Sequence, residues 1–237
     1  MKVEKAFILR INEPRSVEYA KSCADSCDNI GMPWEYVDGI YHQEFPRDKL
    51  WEEVKRRGLS FARTPSMNGG GACATIGHFL IWKKIVEEDV CSIVLEHDAL
   101  LLHRIKLDIP DMKLVCLGYK VQDPENYNHH KAGVPQKLED RNKHGGAHAY
   151  ALTPATAKYL LKILRDRTKV SYIDNQYFLS AGQRGDVKLM ISDPICAIGW
   201  LRESTIWSKS AVDNYAPILE SFKSNYDSKK DLGVKTR

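Results

Sequence analysis

The chain predicts an α/β fold, a mixed but mostly parallel sheet flanked by helices, and three stretches carry that expectation. It opens strand, helix, strand; it holds a long apolar helical pattern at 69–88; and that pattern feeds a short run, Cys91-Ser92-Ile93-Val94-Leu95, which stops at Glu96-His97-Asp98. An apolar run rich in β-branched residues and without alternation reads as a strand buried on both faces. Strand and helix patterns that alternate along a chain are what a parallel sheet wound with helices requires.

In order, Lys5 to Ile11 reads as the first strand, and Glu13-Pro14 opens a helix to about Asn29, proline being favoured in a first turn. Pro33 to Val37 is the second strand, closed by the turn signal Asp38-Gly39. Arg47 to Gly58 carries charges of both signs and reads as a surface helix with a solvated face. Residues 63–69 precede a glycine turn, Gly69 to Gly71, and could close over a ligand; the glycines would admit a phosphate, although the segment is no G-x-x-x-x-G-K-[ST] loop. The helix that follows places Ile76, Phe79, Leu80, Ile85 and Val86 at helical spacing. Lys113 to Tyr119 is another buried strand, and residues 121–143, polar and aperiodic, read as a loop on the acceptor side of a site. Gly145 to Leu152 alternates as a strand, after which Thr153 and Pro154 give an N-cap and a first turn. Asp174 falls where a short helix starts, Val187 to Ile191 is the last strand, and Ile195 to Ile198 is a short extended piece. The domain spans 1–215, with 216–237 a C-terminal helix and solvated tail.

A chain of 237 residues is long enough to bury a substantial core as one domain. Its net charge of +4 demands no nucleic-acid partner. The first ten residues do not read as a signal peptide, and no apolar run approaches the ~20 residues of a membrane helix. A soluble, cytoplasmic protein is therefore expected. Six cysteines lie mostly inside apolar patterns, as small buried hydrophobes in a reducing compartment do. Cys23 and Cys27 are four apart without a nearby His, which makes a poor zinc site.

Glu96 and Asp98 carry the chemistry. Side chains alternate along an extended chain, so two carboxylates two apart would point to one side and could share a cation completed by substrate phosphates. The bland alternative is a pair of solvated acids at a strand end. In wound sheets ligands sit at the carboxyl ends of strands, where Arg10, Asp38 and the acid pair all fall. For Asp38, contact with a nucleoside competes with simple Asp-Gly turn chemistry.

Gly69 to Trp82 followed by Leu95-Glu96-His97-Asp98 resembles glycosyltransferase family 25, the lipooligosaccharide and collagen galactosyltransferases. That family shows a Gly/Cys/Ala-rich turn, a Ser-His pair with Trp four residues on, and a strand ending in Leu-Glu-Asp-Asp; here Gly77-His78, Trp82 and His97 stand at those places. Arg15 and Val37-Asp38-Gly39 match its first turn and second strand end, Ala149-Tyr150 its later Gly-rich strand, and Ile173-Asp174 a downstream motif. The resemblance covers about residues 5–206. It implies a GT-A type Rossmann-like domain, a UDP-hexose donor (galactose or glucose), a sugar or glycan acceptor, Mn²⁺ or Mg²⁺, and inverting transfer. In that reading Asp98 and Glu96 hold the ion, with His148 able to complete the set; Arg10, Arg15, Asp38, His78, Glu96 and His97 line the donor; and Asp174 takes the acceptor's proton beside Asp98. A metal-dependent phosphohydrolase and a silent sugar-nucleotide-binding module remain open as alternatives, and the oligomeric state is not encoded.

Overall fold

The protein is described by a computed structural model over residues 1–45, 47–61, 66–67, 69–102, 104–118, 137–140, 146–165, 169–170, 172–173, 185–193 and 195–199. The first strand, β1 (Lys5–Arg10), leads into α1 (Pro14–Asn29), whose N-cap is Glu13: its carboxylate accepts from the Ser16 amide at 2.9 Å. That contact satisfies one of the amides a helix start leaves without a partner. Then follow β2 (Trp34–Asp38), α2 (Arg47–Arg56), β3 (Ser66–Met67), α3 (Gly69–Glu88), β4 (Ser92–Glu96), β5 (Ala99–Leu101), β6 (Lys113–Cys116), β7 (Lys137–Asp140), β8 (Ala149–Leu152), α4 (Pro154–Arg165), β9 (Lys169–Val170), β10 (Lys188–Asp193) and β11 (Ala197–Gly199).

Seven strands form one sheet in the order β2-β1-β4-β8-β6-β10-β7. The pairings of β1 with β2 and β4, and of β6 with β10, are parallel, whereas β8 and β7 pair antiparallel to their neighbours. The expected mixed, mostly parallel α/β sheet is thus the observed one, with β8 reversed at its centre. Because β8 runs backwards, the residues just before it reach the edge where β1, β2 and β4 end.

The two faces of the sheet carry separate apolar layers. Phe7, Leu9 and Val94 pack with α2, α3 and α4, while Ala6, Ile8, Ile93 and Leu95 pack with α1 and the small β5–β11 sheet. Strand alternation therefore aims Glu96, two residues beyond Val94, at the α3 layer.

Three elements differ from the sequence reading. The glycines at 69–71 are the first turn of α3 rather than a separate turn, and α3 is buried around much of its circumference, from Gly71 through Ile85. An added Cβ at Gly71 would lie 2.5 Å from the Tyr172 ring, and one at Gly77 would lie 2.6 Å from Leu9, so both glycines let neighbours press against the helix. Helix α2 is not simply a surface helix: Leu50 and Val54 enter the core, and Glu53 is only 8% exposed. Strand β7 also lies within the segment read as an aperiodic loop. The readings placed on 121–136, on Asp174 and on 216–237 fall outside the described residues.

Glu53 accepts from Arg56 at 2.6 Å through two nitrogens and from Arg57 at 2.6 Å. Arg57 also donates to the Asp38 carbonyl, tying α2 to the end of β2. The Arg56 hydrogen bonds, against the upward push of burial, bring the Glu53 carboxyl down to about 2 from its usual 4.5. A carboxyl lowered by folding contributes stability that is complete above the unfolded value and lost as pH falls through the folded one. Glu53→Gln is therefore expected to lower the melting temperature at pH 7 and to flatten its decline between about pH 4.5 and 2; equal slopes for the two proteins in that window would refute the assignment. All six cysteines are buried free thiols, and among the described residues no helix is long and apolar enough to cross a membrane.

Candidate active site

Parallel pairing sets Arg10 opposite Asp38 and Leu9 opposite Glu96, so the ends of β1, β2 and β4 share one edge. The reversed β8 adds His148 there: the Glu96 amide donates to the His148 carbonyl at 2.9 Å. The topology thus gathers Arg10, Asp38, Glu96 and His148 at the carboxyl edge, where wound sheets bind ligands.

Arg10 donates to Asp38 at 2.7 Å and lies over the Tyr36 ring at 4.1 Å. Its charge is largely committed, and Asp38 is the more exposed partner, 66% against 29%. Arg15 is held at 2.7 Å by Glu13, the cap of α1, so it belongs to the helix start.

Glu96 is the best-supported acid. His78 Nε2 lies 3.2 Å from Glu96 Oε1, His78 Nδ1 lies 2.9 Å from the Tyr150 hydroxyl, and Trp82 Nε1 donates to that hydroxyl at 2.8 Å. Burial alone would push the Glu96 carboxyl up; the hydrogen bond with His78 leads the effects that bring it down instead, to about 2. Glu96 is therefore a carboxylate at any physiological pH. His78, expected at the donor, has a wholly buried ring whose Nε2 faces Glu96.

The expectation that Glu96 and Asp98 point the same way also changes. Strand β4 ends at Glu96, and His97-Asp98 form a turn into β5, so alternation does not continue to Asp98. Glu96 faces α3, while the charge of Asp98 is felt on the α1 layer, where it adds to burial in raising the Cys23 thiol. His97, in the same turn, stacks on Tyr19 of α1 with ring centroids 6.1 Å apart. The His148 ring lies between Gly118 and Gly199, where an added Cβ would sit 3.3 Å and 3.2 Å from it. It does not close a three-ligand cluster with the acids: among the described residues no group of three His, Cys, Asp or Glu gathers to hold an ion. What remains is a pair of carboxylates, hard oxygen donors suited to a cation that keeps most of its coordination for water and phosphate. Sequence reasoning assigned no role to Trp82 or Tyr150. Trp82 had a signal, its position one helical turn beyond His78; Tyr150, on a distant strand, had only its place in the Ala149-Tyr150 pair.

Comparison with known proteins gives the family. The chain is a glycosyltransferase. It belongs to glycosyltransferase family 25, described as LPS biosynthesis proteins, whose model matches residues 15–176. No curated protein matches it. Among solved structures, it is similar to a glycosyltransferase involved in the glycosylation of the major capsid of PBCV-1, at 10% identity and a TM-score of 0.44 over 89% of this chain and 98% of that one. It is also similar to the glycosyltransferase GlyE of Streptococcus pneumoniae TIGR4, at 12% identity and a TM-score of 0.35 over 95% of this chain and 64% of that one. Family membership decides between the three classes that the sequence left open.

Proposed function

We propose that the protein transfers a hexose, galactose or glucose, from a UDP-sugar to a hydroxyl of a sugar or glycan acceptor, with inversion at the anomeric carbon. The observation that supports this most is Glu96, kept ionised and oriented by buried His78 at the edge that also carries Arg10, Asp38 and His148. Asp98 and Glu96 would hold a divalent ion, Mn²⁺ or Mg²⁺, which when bound supplies neutralisation of the charge developing on the leaving diphosphate. Asp38, exposed and steadied by Arg10, presents carboxylate oxygen to the hydroxyls of the nucleoside. Glu96, with one oxygen accepting from His78, keeps a fixed orientation toward the donor. Asp174, carried over from the family motif, is the proposed base. It takes the proton from the acceptor hydroxyl as that oxygen bonds to the anomeric carbon and the bond to the diphosphate breaks.

The test is release of UDP from UDP-galactose and UDP-glucose in the presence of Mn²⁺, with and without candidate sugars. Acceptor-stimulated release is expected, and binding of UDP without release from either donor would overturn the reading. Asp174→Asn is expected to bind UDP as the wild type does while losing on the order of a hundredfold or more in turnover. A variant that turns over normally removes Asp174 from the role of base.

A further inference from the structure

We infer that Tyr150, fixed by Trp82, is a positioning residue that sets which nitrogen of His78 carries the proton and thereby holds Glu96 in place for the donor. The inference rests on the reading of Glu96 as a donor-side carboxylate. Its argument is a matter of direction along three contacts. An indole N–H can only donate, so Trp82 Nε1 donates to the Tyr150 oxygen at 2.8 Å. That occupies the phenol oxygen as an acceptor and leaves its own O–H to point elsewhere. His78 Nδ1 lies within reach of it, at 2.9 Å. Burial pushes the Tyr150 phenol far up, so its proton stays on and is available to donate. Nδ1 then accepts, and a neutral imidazole that accepts at Nδ1 carries its hydrogen on Nε2. Nε2 lies 3.2 Å from Glu96 Oε1, an ionised acceptor.

In this direction the chain Trp82 to Tyr150 to His78 to Glu96 has a donor and an acceptor at every step. His78, Trp82 and Tyr150 are each fully buried, where polar groups are held to their hydrogen-bond partners. The three come from α3 and from β8, so the arrangement also pins the helix to the strand that delivers His148. None of these three side chains touches the donor, and their effect on transfer runs through Glu96.

Two measurements test this. In ¹⁵N-histidine-labelled, metal-free protein, long-range ¹H–¹⁵N correlations report each ring nitrogen, with His78 assigned through its contact with the Tyr150 ring. Nε2 is expected to be protonated and Nδ1 bare; protonated Nδ1 in the wild type would reverse the direction of the chain and overturn the inference. Tyr150→Phe keeps the ring and removes the hydroxyl. It is expected to raise KM for UDP-galactose or UDP-glucose about three- to tenfold, with kcat within twofold, as loss of one orienting hydrogen bond predicts. A folded Tyr150→Phe protein with wild-type KM overturns the inference, and should that variant not fold, the wild-type nitrogen measurement decides alone. Wild-type protein that turns over neither donor defeats the proposed function, whereas the ring-nitrogen result still judges the relay.

Discussion

Asp98→Asn is expected to lower kcat/KM for the donor by about a hundred- to a thousandfold with saturating Mn²⁺, while leaving the fold intact. Asn keeps the size and the hydrogen-bonding oxygen of Asp but removes the charge that a hard cation needs. The loss corresponds to about 3–4 kcal/mol of transition-state stabilisation, the scale found when one preorganised electrostatic contact to developing charge is deleted. Asp98 is only half-buried and sits in a turn, so the melting temperature should move by little. Titration of UDP binding against Mn²⁺ separates binding from chemistry. Metal-dependent UDP binding within threefold of wild type would show that Asp98 does not hold the ion.

The second large effect is on stability. A Cβ at Gly118 would lie 1.8 Å from the Ala197 carbonyl oxygen and 2.8 Å from its carbon, distances that no rotamer change relieves because both atoms are backbone. That carbonyl cannot retreat freely. The Cys196 and Ala197 amides both donate to the Leu117 carbonyl, at 2.7 and 2.9 Å, and β11 is paired with β5. Gly118→Ala should therefore cost about 3 kcal/mol or more, at the upper end of what overpacking does and a sizeable part of a domain's total stability. For a chain of this size that is a fall of roughly 6–12 °C in melting temperature. Gly185 supplies the contrast: its φ is +73°, yet nothing lies within 4 Å of an added Cβ, so Gly185→Ala should cost only the backbone strain, about 1–2 kcal/mol. A Gly118→Ala protein that melts within 2 °C of wild type would mean that β6 and β11 are not packed as described. Because the same Cβ would crowd His148 at 3.3 Å, whatever folded protein survives should also bind UDP less well.

What the sequence disclosed depended on range. β4 was legible because three consecutive apolar residues, Ile93 to Leu95, without alternation have few other readings, and its end was legible because Glu96 breaks the run. The start of α1 was legible for the same local reason, since Pro14 after a capping carboxylate is information within a few residues. That Glu96 and Asp98 lie along one extended strand did not hold, because the two-residue turn before β5 is not written in the apolar pattern. His78 seemed a ligand contact because a histidine in a motif invites one. Only the packing of α3 on the sheet shows that its ring is sealed behind Glu96.

By itself the sequence determined the class of fold, the order of its first elements and the acid that ends the central strand, because each is set by spacing and propensity within a short window. The tertiary structure decided the reversal of β8, the burial of His78, and the meeting of Trp82 and Tyr150, which are 68 residues apart along the chain. The physical reason is that hydrogen-bond partners in a sealed interior are chosen by which strand lies beside which. That choice follows from burying two apolar layers on one twisted sheet, and no local pattern records it.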